Sequence, residues 1–582
     1  MKQPLAGTAL AVSTMIALTG CIDNGYDLSD IDTTTEIKVR DFTLPINLET
    51  VVLSDIITVG ENDDDKLREV TINGNTFYAV EETGTFRSDP LRIKPFSIDP
   101  DAITPFETRF VLTAGGGSQT TYRLQSPVVK KIEYRAQDID EAIYEINYVT
   151  TDNLRLVMTF EMAAMPGAGT RKLTDISIAM PKGLTLVPAD GRSYDPATGR
   201  MTVESLAFDA SGRASLVFDA RAIDLTANGA RLDYATHSLL LDSDFTVNNA
   251  TLVVSPTGGA QMPADVECGI TYQLTPCDAR ELTGTIEYKL RGEELHIDPI
   301  ALGELPDFLS QEKTNLILHN PQIYLSLNNP LGPDRLYCQS GIELSAIRDD
   351  APVQTFLLPG FRIGYDRGFG PYHFCLSPYR PDEVPEAFRE NLKYVEFASL
   401  GNVLSGRGLP KSIGVELVDP KVPMQKVSGL ELGRDLPCME GDYKLLAPLA
   451  LVGDAQSGSV IYYTDRKDGW NDEDIDGIVI TSMKLTTEVT STLPLNAVLT
   501  AHPIDKDGHL VSGVSVEGGV IPANAAGVPV TLTVTGEVRH LDGIEFTAEV
   551  RPDGTSTVLR PSQTIRLDKI RVNVSGSYTK EF

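Results

Sequence analysis

The chain is poor in the residues that usually betray chemistry. Its 582 residues include one tryptophan, six cysteines and seven histidines, and aromatic side chains make up only 7%. The histidines (His237, His296, His319, His373, His502, His509 and His540) form no H-E-x-x-H pair, which excludes a zincin. No G-x-S-x-G elbow occurs: around Ser405 the two glycine positions hold Val403 and Arg407. There is no C-x-x-C, so zinc-ribbon and thioredoxin-like readings fall. Gly167 to Lys172 is glycine-rich and basic but lacks P-loop spacing, and it reads as a surface turn. Positive charge is scarce as well. Fifty Lys and Arg face 81 Asp and Glu, and a net charge of −31 argues against nucleic acid, whose phosphates need cations. Long apolar runs are missing: stretches such as Leu445 to Val452 are too short to span a bilayer, which takes about 20 apolar residues.

What is present begins at the N-terminus. Lys2 precedes an apolar segment, Leu5 to Leu18, in the order of a secretory signal. Leu18-Thr19-Gly20-Cys21 closes it and resembles a bacterial lipobox. The resemblance implies that Cys21 becomes the mature N-terminus. Its thiol would take a diacylglycerol and its amine an acyl chain such as palmitate. Each buried CH₂ contributes about 0.8 kcal/mol, so three chains make release negligible. The residues that follow, Ile22 to Thr35, are polar and carry Asp23, Asp27, Asp30 and Asp32, as a spacer would. The expected partner is therefore the outer membrane, reached through the lipid. Only Asp23 falls within three positions of Cys21, a thin version of the acidic surface-export signal. Cell surface and periplasmic face both stay open, with the surface favoured.

The body of the chain alternates apolar and polar residues between turn signals, the mark of half-buried strands. Ile286, Tyr288 and Leu290 share a face, as do Ile323, Leu325 and Leu327, then Val530, Leu532 and Val534, then Ile570, Val572 and Val574. Forty-eight glycines and 36 prolines supply the punctuation that many short strands need. Helical periodicity is confined to Pro385 to Val395 and a single turn at Pro306 to Ser310. Asn320-Pro321 and Asn329-Pro330 mark strand boundaries, because proline cannot donate into a ladder. The expected fold class is all-β: several tandem β-sandwich (Ig-like) domains with few short helices. Composition breaks divide the chain into a signal peptide (1–20), an acidic tether (21–40) and a β-rich N-terminal region (41–140). A sandwich (141–278), a sandwich with a short helical insertion (279–470) and a C-terminal sandwich (471–582) follow.

Few residues invite a site. Asp472, Asp474, Asp476 and Gly477 match the opening of a calcium loop, in which alternate carboxylates wrap one hard cation. Position 12, which should be Glu, is Met483, so calcium is a weak expectation, and no other metal or cofactor is indicated. Trp470 stands beside these acids as a candidate glycan-stacking ring. The stretch holding Phe361, Tyr365, Phe369, Tyr372, Phe374 and Tyr379 also invites a glycan, although its glycines and prolines favour a looped region whose rings fill a core. Of the cysteines after Cys21, Cys268 and Cys277 flank a probable turn and form a candidate disulfide. Five is an odd number, so at least one thiol stays free or pairs between molecules.

The segments Cys21 to Pro45 and Gly429 to Leu451, the latter with Leu432-Gly433 and Ala447-Pro448-Leu449-Ala450, resemble uncharacterised Bacteroidetes outer-membrane and surface lipoproteins. That resemblance carries no activity and no functional residues. The reading is a lipid-anchored envelope protein, a non-enzymatic binding or structural module with a glycan or an envelope protein as partner. The alternative is a glycan-binding lipoprotein serving polysaccharide uptake. A surface glycan hydrolase comes third, since its carboxylate pair would leave no local motif.

Overall fold

A computed structural model describes residues 35–580, apart from breaks at 47–49, 61–65, 99–105, 116–119, 291–294, 303–308, 310–312, 455–457 and 470–477 and some single or paired positions. The chain is all-β and sandwich-like. Among the described residues, helix is limited to Leu309 and to single turns at Leu53–Ile56, Glu386–Phe388 and Leu400–Val403.

One long strand, Ile143–Met162, organises the first half. It pairs along its length with Arg213–Asp224 on one side. On the other side it meets two strands in succession. Asp265–Leu274 lies against its C-terminal half and Cys277–Lys289 against its N-terminal half. Asp265–Leu274 also pairs with Phe106–Ala114, which turns through Thr121–Leu124 onto Ser238–Pro256. Ser238–Pro256 then pairs with Ala168–Ala179, and that strand with Arg200–Ala207. The two layers close on Phe160, Phe218 and Phe245, each essentially without exposure. A fully buried ring of this kind contributes about 1.5–3 kcal/mol. Phe245 meets Tyr272 edge to face at 4.4 Å.

Cys277–Lys289 continues the sheet into a second sandwich. Ser412–Glu431 follows it, then Cys338–Arg348 and Ala351–Ile363. The facing sheet runs Leu295–His296, Asn75–Pro90, Cys438–Pro448, Gln322–Leu327, Tyr372–Ser377 and Lys393–Glu396, the last pair parallel. The alternation at Ile323, Leu325 and Leu327 turns these side chains onto an apolar cavity of about 60 Å³ between the sheets. Their strand is covered on its other face too, where Tyr324 packs at 5.2 Å from Phe388.

The segment that supplies Phe388 corrects the helix expected over Pro385 to Val395. It makes only the 3₁₀ turn Glu386–Phe388 and then the strand Lys393–Glu396. Asn391 between them has φ 52°, which no right-handed helix can include. Val384, Phe388 and Leu392 pack across the Cys375 face instead. The turn at Pro306 to Ser310 falls almost wholly outside the described residues.

The third sandwich has its own small core of Val489, Ile521, Ala525 and Val530. One sheet contains Ile478–Ser491, Val528–Val538 and Thr564–Lys580, and the other Ile461–Lys467, Leu541–Pro552 and Leu495–Asp505. The first described strand, Thr35–Ile46, joins the former sheet at its edge. It runs antiparallel to Thr564–Lys580, with Thr35 opposite Lys580. The two ends of the described part of the chain are thus side by side.

Candidate functional site

The strand Gln322–Leu327 has two different ends. At Gln322 the sheet abuts the third sandwich: Tyr78 N donates to Leu559 O at 3.1 Å, and Leu449 N to Tyr78 O at 2.8 Å. At Leu327 the chain leaves the sheet through Asn328 and Asn329. Here the segments 328–336 and 364–371 meet, directed away from the third sandwich.

Asn329, fully buried, ties the two segments together. Its Nδ2 donates to Leu336 O and to Gly364 O, both at 2.8 Å, and its Oδ1 accepts from Leu331 N at 3.0 Å. Asn328 fastens the base to the neighbouring strand, donating to Cys438 O at 3.0 Å and accepting from Glu440 N at 2.8 Å. Gly332 allows the closest approach, since a Cβ there would lie 1.6 Å from Gly368 O. Tyr372 OH accepts from Arg367 N at 2.9 Å and donates to Gly368 O at 3.0 Å. The loop is therefore built on a side-chain scaffold that fixes its backbone.

On that scaffold Tyr365 and Phe369 are 42% and 38% exposed. Between them in sequence, Arg367 pairs with Glu390 at 2.9 Å. Lys393 lies 3.6 Å from Asp366, Arg434 pairs with Asp334 at 2.8 Å, and the Arg362 guanidinium sits 3.4 Å over the Tyr337 ring. Two buried nitrogens here, Arg367 Nη1 and His373 Nδ1, have no hydrogen-bond partner. Burial holds the His373 imidazole below its ordinary pKa, helped by Arg367 and opposed by Glu390. The arrangement offers exposed rings for stacking beside charged donors and acceptors. That is the equipment of a binding surface.

The structure divides the aromatic stretch. Phe361, Tyr372 and Phe374 fill the core as the glycine-rich context predicts, while Tyr365, Phe369 and Tyr379 are exposed. Tyr379, at the other end of its strand, stacks on His319 at 4.7 Å. Asn329 and Arg367 were not among the sequence candidates. Asn329-Pro330 signals a strand boundary, and nothing local announces that the asparagine is enclosed.

Cys21, Trp470, Asp472, Asp474 and Asp476 lie outside the described residues. Among the described residues, no group of three or more His, Cys, Asp or Glu is placed to hold a metal. Cys268 and Cys277 correct the disulfide expectation: both are free, buried thiols. The chain does not turn between them. Cys268 lies opposite Met162 and Asp278 opposite Asp152, so both strands run the same way along one partner. The partners Met162 and Asp152 are ten steps apart on one strand, which puts the two cysteines about 30 Å apart, far beyond the ~7 Å Cα spacing that a disulfide tolerates. Cys338, Cys375 and Cys438 are also free.

Comparisons of the chain with known proteins give only distant structural likenesses. No family model matches it, and no curated protein does. Among solved structures, a protein of Parabacteroides distasonis described as secreted shares 13% identity over 50% of this chain and 89% of its own, with a TM-score of 0.33. Broad bean stain virus gives 9% identity over 50% of this chain and 89% of its own, with a TM-score of 0.14. A Penaeus vannamei nodavirus gives 12% over 51% and 90%, with a TM-score of 0.11. Likenesses this distant carry no argument about function. No helix among the described residues is long and apolar enough to cross a membrane.

Proposed function

We propose that this chain is a lipid-anchored envelope protein whose rigid β body serves as a non-enzymatic binding module. The observation that carries the reading is Leu18-Thr19-Gly20-Cys21, followed within fourteen residues by a strand built into the body. The resemblance to Bacteroidetes outer-membrane lipoproteins supports the placement at the outer membrane, with the surface favoured. The test is metabolic labelling with an alkyne analogue of palmitate. Wild-type protein should incorporate label and fractionate with outer membrane, and Cys21→Ser should lose both. Label retained by Cys21→Ser would refute the anchor. Protease shaving of intact cells then distinguishes surface from periplasmic placement.

One observation favours the glycan reading within this frame: Tyr365 and Phe369 are exposed beside Arg367 and Glu390. Rings of this kind stack on the apolar faces of sugars, and flanking charges take up hydroxyls. Affinity gels cast with purified polysaccharides check it. Retardation of the wild-type body that Tyr365→Ala together with Phe369→Ala abolishes is the expected result. Unretarded wild-type migration across the panel would sink it.

A further inference from the structure

The third sandwich has a direction, and strand register defines it. Thr35 lies opposite Lys580, and Ile37 and Ile478 both lie opposite Tyr578. Ile480 lies opposite Val538, whose strand turns into Leu541, and Leu541 lies opposite Asp505. Lys467 lies opposite Ile544. The start of Thr35–Ile46, the turns at 505–510 and 538–541, and both attachment points of residues 468–477 are therefore gathered at one end. The other end is equally consistent. Val51 and Ser491 lie opposite Ile565, Leu495 opposite Pro552 and Ile461 opposite Val550. That end abuts the second sandwich through Leu449 and Leu559, which hydrogen-bond at 3.1 Å.

Only residues 22–34 separate Cys21 from Thr35. Even fully extended they reach about 45–50 Å. The fifteen residue steps from Lys580 back to Ile565 carry the body about 50 Å further from the attachment point. We propose that the 505–510 and 538–541 turns form the bilayer-apposed end of the molecule. The second sandwich, with the Tyr365 and Phe369 loop, then projects away from the membrane. The partner of this end is the surface of the bilayer into which the lipid on Cys21 inserts, so the inference rests on the lipid-anchor reading. The end carries Asp468, Asp505, Asp507, Glu537 and Asp542 against Arg466, Lys506 and Arg539. With acids and bases so mixed, the turns form no polybasic patch of the kind that anionic headgroups attract, so the lipid holds the end in place and the turns do not penetrate.

The test uses the full chain, lipidated on Cys21 as verified by mass, in vesicles of phosphatidylethanolamine and phosphatidylglycerol containing an acceptor-labelled lipid. A donor dye is attached in a Cys438→Ser background at Leu510→Cys, Tyr365→Cys or Gln261→Cys, all exposed positions. Energy transfer to the lipid should be greatest from position 510. Inserting a Gly-Ser stretch between Thr33 and Thr34 should lower the transfer from 510. Equal transfer from the three positions on a lipidated protein means that the body lies flat, and it overturns the proposal while leaving the anchor intact. Greater transfer from 261 or 365 inverts the orientation and overturns it too. A chain that carries no lipid removes the anchor reading and the proposal together.

Discussion

Truncating Asn329 to alanine tests whether the loop end of the second sandwich is held by one buried amide. The side chain makes three hydrogen bonds to backbone within 3.0 Å, to Leu336 O, Gly364 O and Leu331 N. Asn329, Leu331 and Leu336 are each at most 1% exposed, so water cannot replace two of the lost partners. Gly364 is half-buried, and its carbonyl can be rehydrated. Each buried group left unpaired costs about 1–3 kcal/mol, so with two of them the variant should lose about 2–6 kcal/mol of local stability. At 1.4 kcal/mol per factor of ten, the Leu331 and Leu336 amides should then exchange at least about 25-fold faster. Hydrogen exchange read by mass spectrometry suits this chain better than a melt, because three sandwiches need not unfold as one unit. Asn329→Asp sharpens the test. It keeps the acceptor for Leu331 N but turns an anionic oxygen toward two carbonyls. Its buried carboxyl would have a raised pKa, so the loop should be open at pH 7 and recover protection as falling pH protonates it. Protection within about tenfold of wild type in Asn329→Ala would mean that Pro330, Gly332 and Tyr372 hold the loops without the amide, and the reasoning would fail.

Three further outcomes follow from the same physics. Gly332→Ala puts a methyl 1.6 Å from Gly368 O, and the segments must separate; overpacking of this kind costs about 1–3 kcal/mol, and limited proteolysis should cut within 364–371 faster, with an unchanged rate refuting the close approach. Burial pushes the Cys268, Cys277 and Cys338 thiols up to about 12, so native protein at pH 8 should be alkylated by iodoacetamide at Cys438 alone, with the others modified only after unfolding; early labelling of Cys268 would contradict its placement. Burial lowers the pKa of His319 and of His373, so the unfolded chain binds their protons more readily than the fold does; their contribution is present above the unfolded value of about 6.5 and is lost as pH falls below it. Melting temperature should therefore drop from pH 7.5 to pH 5, less steeply in His319→Gln with His373→Gln, and identical slopes would count against the buried imidazoles.

The strands were legible because their signal is local. Ile323, Leu325 and Leu327 alternate in sequence and line one wall in the structure, since successive side chains in a strand must point to opposite faces. Register across the chain carries no such signal. Thr35–Ile46 is an ordinary alternating strand, and nothing in it names Thr564–Lys580 as its partner. The disulfide expectation failed for a related reason. Residues 275 and 276 look like a turn between two strands, yet Ile143–Met162 is long enough to template both strands in one direction. The loop site was half legible. Its rings could be seen in the sequence, but which of them face solvent is fixed where residues 328–336 and 364–371 meet, a contact made between non-adjacent segments.

That long-range register has a consequence for how the molecule is assembled. The sheet of the third sandwich pairs Thr35–Ile46 with the final strand, so its edge cannot close until residues 564–580 are available. The first sandwich draws its strands from residues 106–274 and can form earlier, since its pairings span far shorter loops. On the proposed anchor at Cys21, the incomplete sheet would be the part next to the membrane while the distal part is already folded. The unpaired edge of Thr35–Ile46 is exposed to strand addition during that interval. Closing it with the last strand that the same chain supplies ties completion of the third sandwich to completion of the chain.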